Sequence, residues 1–191
     1  MGGKCLISSD KKVKRRDLLK AGGIAAVSML LPEQALALGR GMFPVEKRLS
    51  LYNVHTGESL DRVSYSRNGR LLDSISDINR IMRDHRSGEV ENIDTELLDT
   101  LYLLSQKLKC DSPFHIISAY RSPETNSMLR KSSSGVARKS MHMYGKAVDV
   151  RLPGCDLEEL KDAALQLKRG GVGYYPESDF VHLDVGPYRY W

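Results

Sequence analysis

Two short segments constrain this chain more than any others: Tyr144–Arg151, with Ala147-Val-Asp149-Val-Arg151 at its heart, and Phe180–Val185, reading Phe-Val-His182-Leu-Asp184-Val. Both alternate with period two, the pattern of a half-buried β-strand whose successive side chains point to opposite faces. In the later segment Val181, Leu183 and Val185 face one way and Phe180, His182 and Asp184 the other; in the earlier one Val148 and Val150 oppose Asp149. Two such strands side by side present one apolar face to a core and one face bearing Asp149 and His182. His142 lies just before Gly145, where a loop can bring a second imidazole to that face. Ordinary surface polarity explains a lone histidine, but polar groups interrupting apolar strands in register point to a site.

Two imidazoles and a carboxylate form a donor set for zinc. A structural zinc site is closed by four protein ligands and is usually rich in Cys, whereas three N/O ligands leave one position for water. Zinc lowers the pKa of such a water to about 7. The pattern therefore predicts one Zn2+ held by His142, Asp149 and His182.

The N-terminal residues read as an export signal. Lys11-Lys-Val-Lys-Arg15-Arg16-Asp-Leu-Leu-Lys20 is basic, Ala21–Leu31 is modestly apolar, and Ala35-Leu-Ala37 is a small-x-small cleavage site. This resembles a twin-arginine signal over residues 1–37, with Leu18 where the common pattern prefers Phe. An uncleaved anchor or a merely basic arm are the alternatives, but the apolar run is short for a bilayer. Removing residues 1–37 takes away seven basic and three acidic side chains, so the net charge falls from +5 to +1 and the basic pI carries no case for nucleic acid. Cys110 and Cys155 then remain, with no C-x-x-C spacing; export permits a disulfide between them, and two separate thiols are the alternative.

Residues 38–46 read as a flexible start, and 47–191 as one domain. Arg48–Val54 and Asp61–Tyr65 alternate around His55-Thr-Gly57-Glu and predict a hairpin. Leu72–Asp84 carries a helical stripe ending before Gly88, and Asp94 caps a helix to Leu108 with Leu97, Leu98, Leu101 and Leu104 on or near one face. Phe114–Ser118 reads as a buried strand. Ser122-Pro123 starts a helix to about Lys131, Arg130–Lys139 a basic loop, Asp156–Lys168 a helix, and Gly170–Gly173 a turn. The sum is a single α+β domain.

Ser140-x-His142-x-x-Gly145-x-Ala147-x-Asp149 followed by His182-x-Asp184 resembles the zinc D,D-peptidase superfamily, which includes D-Ala-D-Ala dipeptidases and phage L-Ala-D-Glu endolysins. Three further stretches extend the likeness across most of residues 45–191: Asp84-His-Arg-Ser-Gly-Glu89, Ser118-Ala-Tyr120-Arg121-Ser-Pro123 and Gly171-Val-Gly-Tyr-Tyr-Pro176. They look like the exported murein endopeptidase branch. The resemblance implies a D,D-peptidase/hedgehog-like α+β fold, in which a small antiparallel sheet carries the zinc and helices flank it. It also implies that His142, Asp149 and His182 are the ligands, and that Arg121 binds a substrate carboxylate or the oxyanion.

Asp179 stands where relatives place the general base, although its parity is opposite to that of His182, so the strand must start after it or bulge. Asp184 shares the His182 face and suits a carboxylate that orients the imidazole. Ser140 is expected to hydrogen-bond within the ligand loop, and Tyr120 or Tyr144 to line a substrate groove, with core packing the alternative for each tyrosine. The implied partners are peptidoglycan stem peptides and, through the signal, the export machinery, in the periplasm or cell envelope. Composition and spacing do not separate a cross-link endopeptidase from a D,D-carboxypeptidase that removes terminal D-Ala, or from a non-catalytic peptidoglycan-binding module; the exported branch favours the first.

Overall fold

The expected hairpin opens the described chain. In the computed structural model, which describes residues 45–133 and 135–191, β1 (Glu46–Asn53) and β2 (Ser59–Arg67) pair antiparallel. Their connection is built by Asn53, whose side-chain oxygen accepts from the amides of His55 and Thr56. Glu46, expected in a flexible start, already pairs with Arg67. The signal expected over 1–37, and residues 38–44 after it, lie outside the described residues.

A two-residue strand β3 (Arg70–Leu71) precedes α1 (Ile75–Ile81), which is shorter than the stripe suggested because Leu72 lies in the turn before it. The buried Asp84 closes the following loop by accepting from the amides of Arg86 and Ser122. Helix α2 (Thr95–Leu108) starts where expected: Asp94 accepts from the Glu96 amide at 2.9 Å. Its Leu97, Leu98, Leu101 and Leu104 are fully buried, each burial contributing about 1.5–3 kcal/mol.

β4 (Phe114–Ser118) follows, then α3 (Pro123–Ser132), capped by Ser122 and extending into the segment expected to be a basic loop. β5 (Ala147–Arg151) begins three residues later than expected, because Met141–Tyr144 forms a 3-10 turn. Gly145 ends that turn at φ +63°, and a Cβ there would stand 2.3 Å from the Asn92 carbonyl oxygen. Glycine is therefore required at 145 for both conformation and space. Helix α4 (Leu157–Leu167) precedes β6 (Gly171–Tyr175), β7 (Phe180–Asp184) and β8 (Arg189–Tyr190).

Two expectations change. Gly171–Gly173 lies in a strand rather than a turn, with only Gly170 left in the bend before it, and the sheet is neither small nor purely antiparallel. It has eight strands in the order β3-β2-β1-β4-β5-β7-β6-β8, with β1–β4 and β6–β8 parallel. The first parallel pair follows from the connection: after the hairpin the chain crosses through α1 and α2 before β4, and such a crossover returns a strand in the same direction. Val148, Val150, Val181 and Leu183 turn inward to the core with the α2 leucines and Leu160 of α4. The α+β single-domain reading holds for Val45–Trp191. Among the described residues no helix is long and apolar enough to cross a membrane.

Candidate metal centre

Register across the central strands assembles the site. Ser118 of β4 stands beside Asp149 of β5, Asp149 beside His182 of β7, and His182 beside Gly173 of β6. The row lies on the face opposite the valines. His142 joins it from the 3-10 turn, which is locked to the β4–α3 loop twice: the His142 carbonyl accepts from the Arg121 amide at 3.1 Å, and the imidazole Nδ1 donates to the Ala119 carbonyl at 2.7 Å.

Those outer contacts select which ring nitrogen is available. A carbonyl only accepts, so His142 carries its proton on Nδ1 and turns Nε2 inward. His182 takes the opposite arrangement, its Nε2 donating to the Asp184 carboxylate at 3.1 Å and its Nδ1 turning inward. The inward atoms His142 Nε2, His182 Nδ1 and Asp149 Oδ1 lie 3.3, 3.4 and 2.8 Å apart. Zinc bonds of about 2.0–2.1 Å to N and O imply tetrahedral edges of about 3.3–3.4 Å. Two of the three separations match that edge, and the third is the direct His182–Asp149 hydrogen bond. The donor set and its spacing fit zinc.

Electrostatics agree with the geometry. Burial opposes charge on His182, but the carboxylates of Asp149 and Asp184 outweigh it and raise its pKa to about 9. Burial likewise works against charge on Asp149, yet the two imidazoles hold its carboxyl well below the usual range. Asp184 is also depressed: burial is outweighed by His182, by the amides of Gly186 and Gly171, and by Arg189. Its Oδ2 accepts from Arg189 Nη2 at 2.5 Å, and its Oδ1 from the Gly186 amide at 2.8 Å and the Gly171 amide at 3.1 Å. The expected place of Asp184 behind His182 is thus the observed one.

Arg121 is largely buried, its side chain 11% exposed. Nη2 bonds Ser118 Oγ at 3.2 Å and stands 3.9 Å from Asp149 Oδ2. Its Nε is buried without a partner among the described residues. Burial works against its charge and the Asp149 carboxylate supports it; a guanidinium stays protonated in either case.

A cleft of about 590 Å³ opens over His142, Asp149 and His182. Arg121 and Ser140 line it, as do Lys139 of the basic segment and an aromatic edge of Tyr175, Phe180 and Trp191. Ser140 occupies the capping position of the ligand turn, where its backbone carbonyl, not its side chain, makes the capping bond. Tyr120 is packed in the core and Tyr144 is exposed away from the cleft, so the groove aromatics are other residues.

Asp179 sits immediately before β7, as its parity requires, in a left-handed conformation. Its carboxylate is 61% exposed and bonded to Arg151 at 2.7 Å, beside a neighbouring cleft that includes His115 and Cys155. The structure therefore does not bring Asp179 to the cluster of His142, Asp149 and His182. His85 lies beyond α1, stacked 3.8 Å from His55, and burial and that neighbour lower its pKa to about 4. Cys110 and Cys155 are free thiols.

The family model described as Peptidoglycan L,D-endopeptidase MepK matches residues 44–191. The chain belongs to the MepK family. Peptidoglycan L,D-endopeptidase MepK of Escherichia coli (strain K12) is 42% identical over 177 residues, covering 93% of this chain and 96% of that protein. Probable peptidoglycan L,D-endopeptidase MepK of Haemophilus influenzae is 37% identical over 178 residues, with 93% and 95% covered. The solved Serratia marcescens L-Ala D-Glu endopeptidase ChiX aligns at 17% identity and a TM-score of 0.34 over 51% of this chain and 71% of its own, an overlap too slight to bear on fold or site. The MepK-family match spans every residue of the row from Ser118 to Gly173, together with the cleft above it.

Proposed function

We propose that this protein is a zinc-dependent peptidoglycan endopeptidase of the cell envelope that hydrolyses L,D peptide bonds in cross-linked stems. The observation that carries the reading is the convergence of His142 Nε2, Asp149 Oδ1 and His182 Nδ1 beneath a cleft, in a member of the MepK family. These three residues would hold one zinc ion. When bound there, zinc supplies a Lewis acid and makes hydroxide available near neutral pH.

The chain's own groups do the rest. Ala119 and Asp184 hold the two imidazoles in complementary tautomers, so both ligand nitrogens are aimed without rearrangement. Arg121, pinned by Ser118 and carrying an unpartnered Nε, offers a fixed guanidinium to a substrate carboxylate or to charge developing on the scissile carbonyl. Asp179 takes the proton from the attacking water and passes it to the leaving amine. To do so its carboxylate exchanges Arg151 for the cleft, and an exposed ion pair of this kind costs only about 0–1 kcal/mol to break. Residues 1–37 act as a twin-arginine export signal that delivers the domain 47–191 to peptidoglycan.

Purified cross-linked peptidoglycan, digested by the full chain with a chelator and then with zinc restored, tests this reading by mass spectrometry. Zinc-dependent conversion of cross-linked dimers to monomeric stems is expected. Loss of terminal D-Ala alone would make it a carboxypeptidase, and no product with zinc demonstrably bound would make it a binding module.

A further inference from the structure

Trp191 has an environment that fold stability alone does not explain. Its backbone is stitched across β6, the amide donating to Val172 at 3.2 Å and the carbonyl accepting from Tyr174 at 3.0 Å. Between those residues lies Gly173, the strand neighbour of His182, and a Cβ on Gly173 would stand 2.8 Å from the indole. The ring therefore lies in the space a side chain at 173 would take, 5.4 Å from the His182 ring. Nε1 donates to the Tyr175 hydroxyl at 2.7 Å, the Arg189 guanidinium sits 4.9 Å from the ring, and Tyr175 stacks on Phe180 at 4.7 Å.

The indole is held by backbone, hydroxyl and guanidinium, yet Trp191 remains 45% exposed and lines the cleft. A large ring that is fixed but not buried gains little for the core. Its position suits contact with a ligand, because a pre-ordered aromatic surface pays little conformational entropy on binding. Lys139 also lines the cleft, and Arg121 lies 3.9 Å from Asp149. The cleft thus combines cationic groups with an aromatic surface, Arg189 lying on the indole itself.

We infer that Trp191, set by Tyr175, is a substrate-contacting residue that fixes how a peptidoglycan stem crosses the metal site. The stem's carboxylate lies toward Arg121 and Lys139, and its peptide backbone and aliphatic side chains lie against the indole. The inference rests on the endopeptidase reading above.

The chain contains a single tryptophan, so indole emission reports on this position alone. Titrating the zinc-loaded full chain with a monomeric peptidoglycan stem peptide is expected to give a saturable change in that emission; an unchanged spectrum while calorimetry shows binding overturns the inference. Kinetics on a cross-linked stem dimer supply the second test. Trp191→Ala is expected to raise KM several-fold to about tenfold, with kcat and zinc affinity near wild type, and Trp191→Phe to recover most of the loss. A fall in zinc affinity or kcat with KM unchanged would mean that the ring only supports His182, overturning the inference. Should Trp191→Ala fail to fold, Tyr175→Phe removes only the hydroxyl that sets the indole; it is expected to raise KM with an unchanged melting temperature, and an unchanged KM counts against the proposal. Wild-type protein inactive on every peptidoglycan substrate would instead remove the endopeptidase reading itself.

Discussion

Replacing Asp184 by Asn keeps the side chain's shape and removes its charge, at a carboxylate with no solvent-exposed side-chain surface. Oδ1 accepts from two amides and Arg189, and Oδ2 from His182 Nε2 and Arg189. An amide has one accepting end, so whichever way it is flipped its NH2 group confronts donors on one side. If it faces His182, the imidazole loses the acceptor that keeps Nδ1 available; if it faces the amides, β6 and the turn after β7 lose theirs. Loss of an outer carboxylate partner of a metal-binding histidine costs roughly 10–100-fold in metal affinity, or about 1.4–2.8 kcal/mol. Unsatisfied buried donors add about 1–3 kcal/mol of lost stability, with the share from the half-exposed Arg189 small. Zinc affinity by competition with a chromophoric chelator, alongside thermal melts, measures both. The folded-state pKa of Asp184 is depressed, so its stabilisation is present above the unfolded carboxylate pKa of about 3.9 and is lost as pH falls through the lower folded value. The melting difference between wild type and Asp184→Asn should therefore be fully developed at pH 7 and shrink in acid. A folded Asp184→Asn that binds zinc within twofold of wild type would refute the argument.

Because Asp149 and Asp184 raise His182 to about 9 in the metal-free chain, zinc must displace its Nδ1 proton at pH 7, and calorimetry in buffers of different ionisation enthalpy should show close to one proton released. The same raised value stabilises the metal-free fold fully below the unfolded histidine pKa of about 6.5, so its melting temperature should decline as pH rises from there through about 9. Gly145→Ala forces a Cβ toward the Asn92 backbone at positive φ, and conformational strain plus overpacking should cost roughly 2–5 kcal/mol in denaturant melts. Asp179→Asn should lower kcat about 10²–10⁴-fold with zinc affinity unchanged; full activity would move the base role elsewhere.

The juxtaposition of Asp149 and His182 was legible because each interrupts an apolar alternation, and strand parity alone puts both on the face away from the valines. Asp184 was legible by the same parity. The helices α2 and α3 were readable from Asp94 and Ser122, whose capping is a local interaction. What escaped depends on contacts distant in sequence. Gly171-Val-Gly173 reads as a turn, but its glycines lie in a strand that approaches Asp184, Arg189 and Trp191 too closely for side chains. β8 has two residues and no period to detect. Tyr120 takes the core alternative rather than the groove, and nothing local shows that Trp191 reaches His182 across β6. The partner of Asp179, Arg151, lies 28 residues away, and sheet order, with its two parallel pairs, is set by crossovers that periodicity does not encode.

The most direct measurement uses two purified stem dimers, one joined through an L,D bond and one through a D,D bond, incubated with zinc-loaded full chain, with the metal-stripped chain and with His182→Ala. Mass spectrometry should show the L,D dimer converted to monomers by the zinc-loaded wild type alone, with the D,D dimer intact. Cleavage that persists after metal removal, or in His182→Ala, would contradict the account.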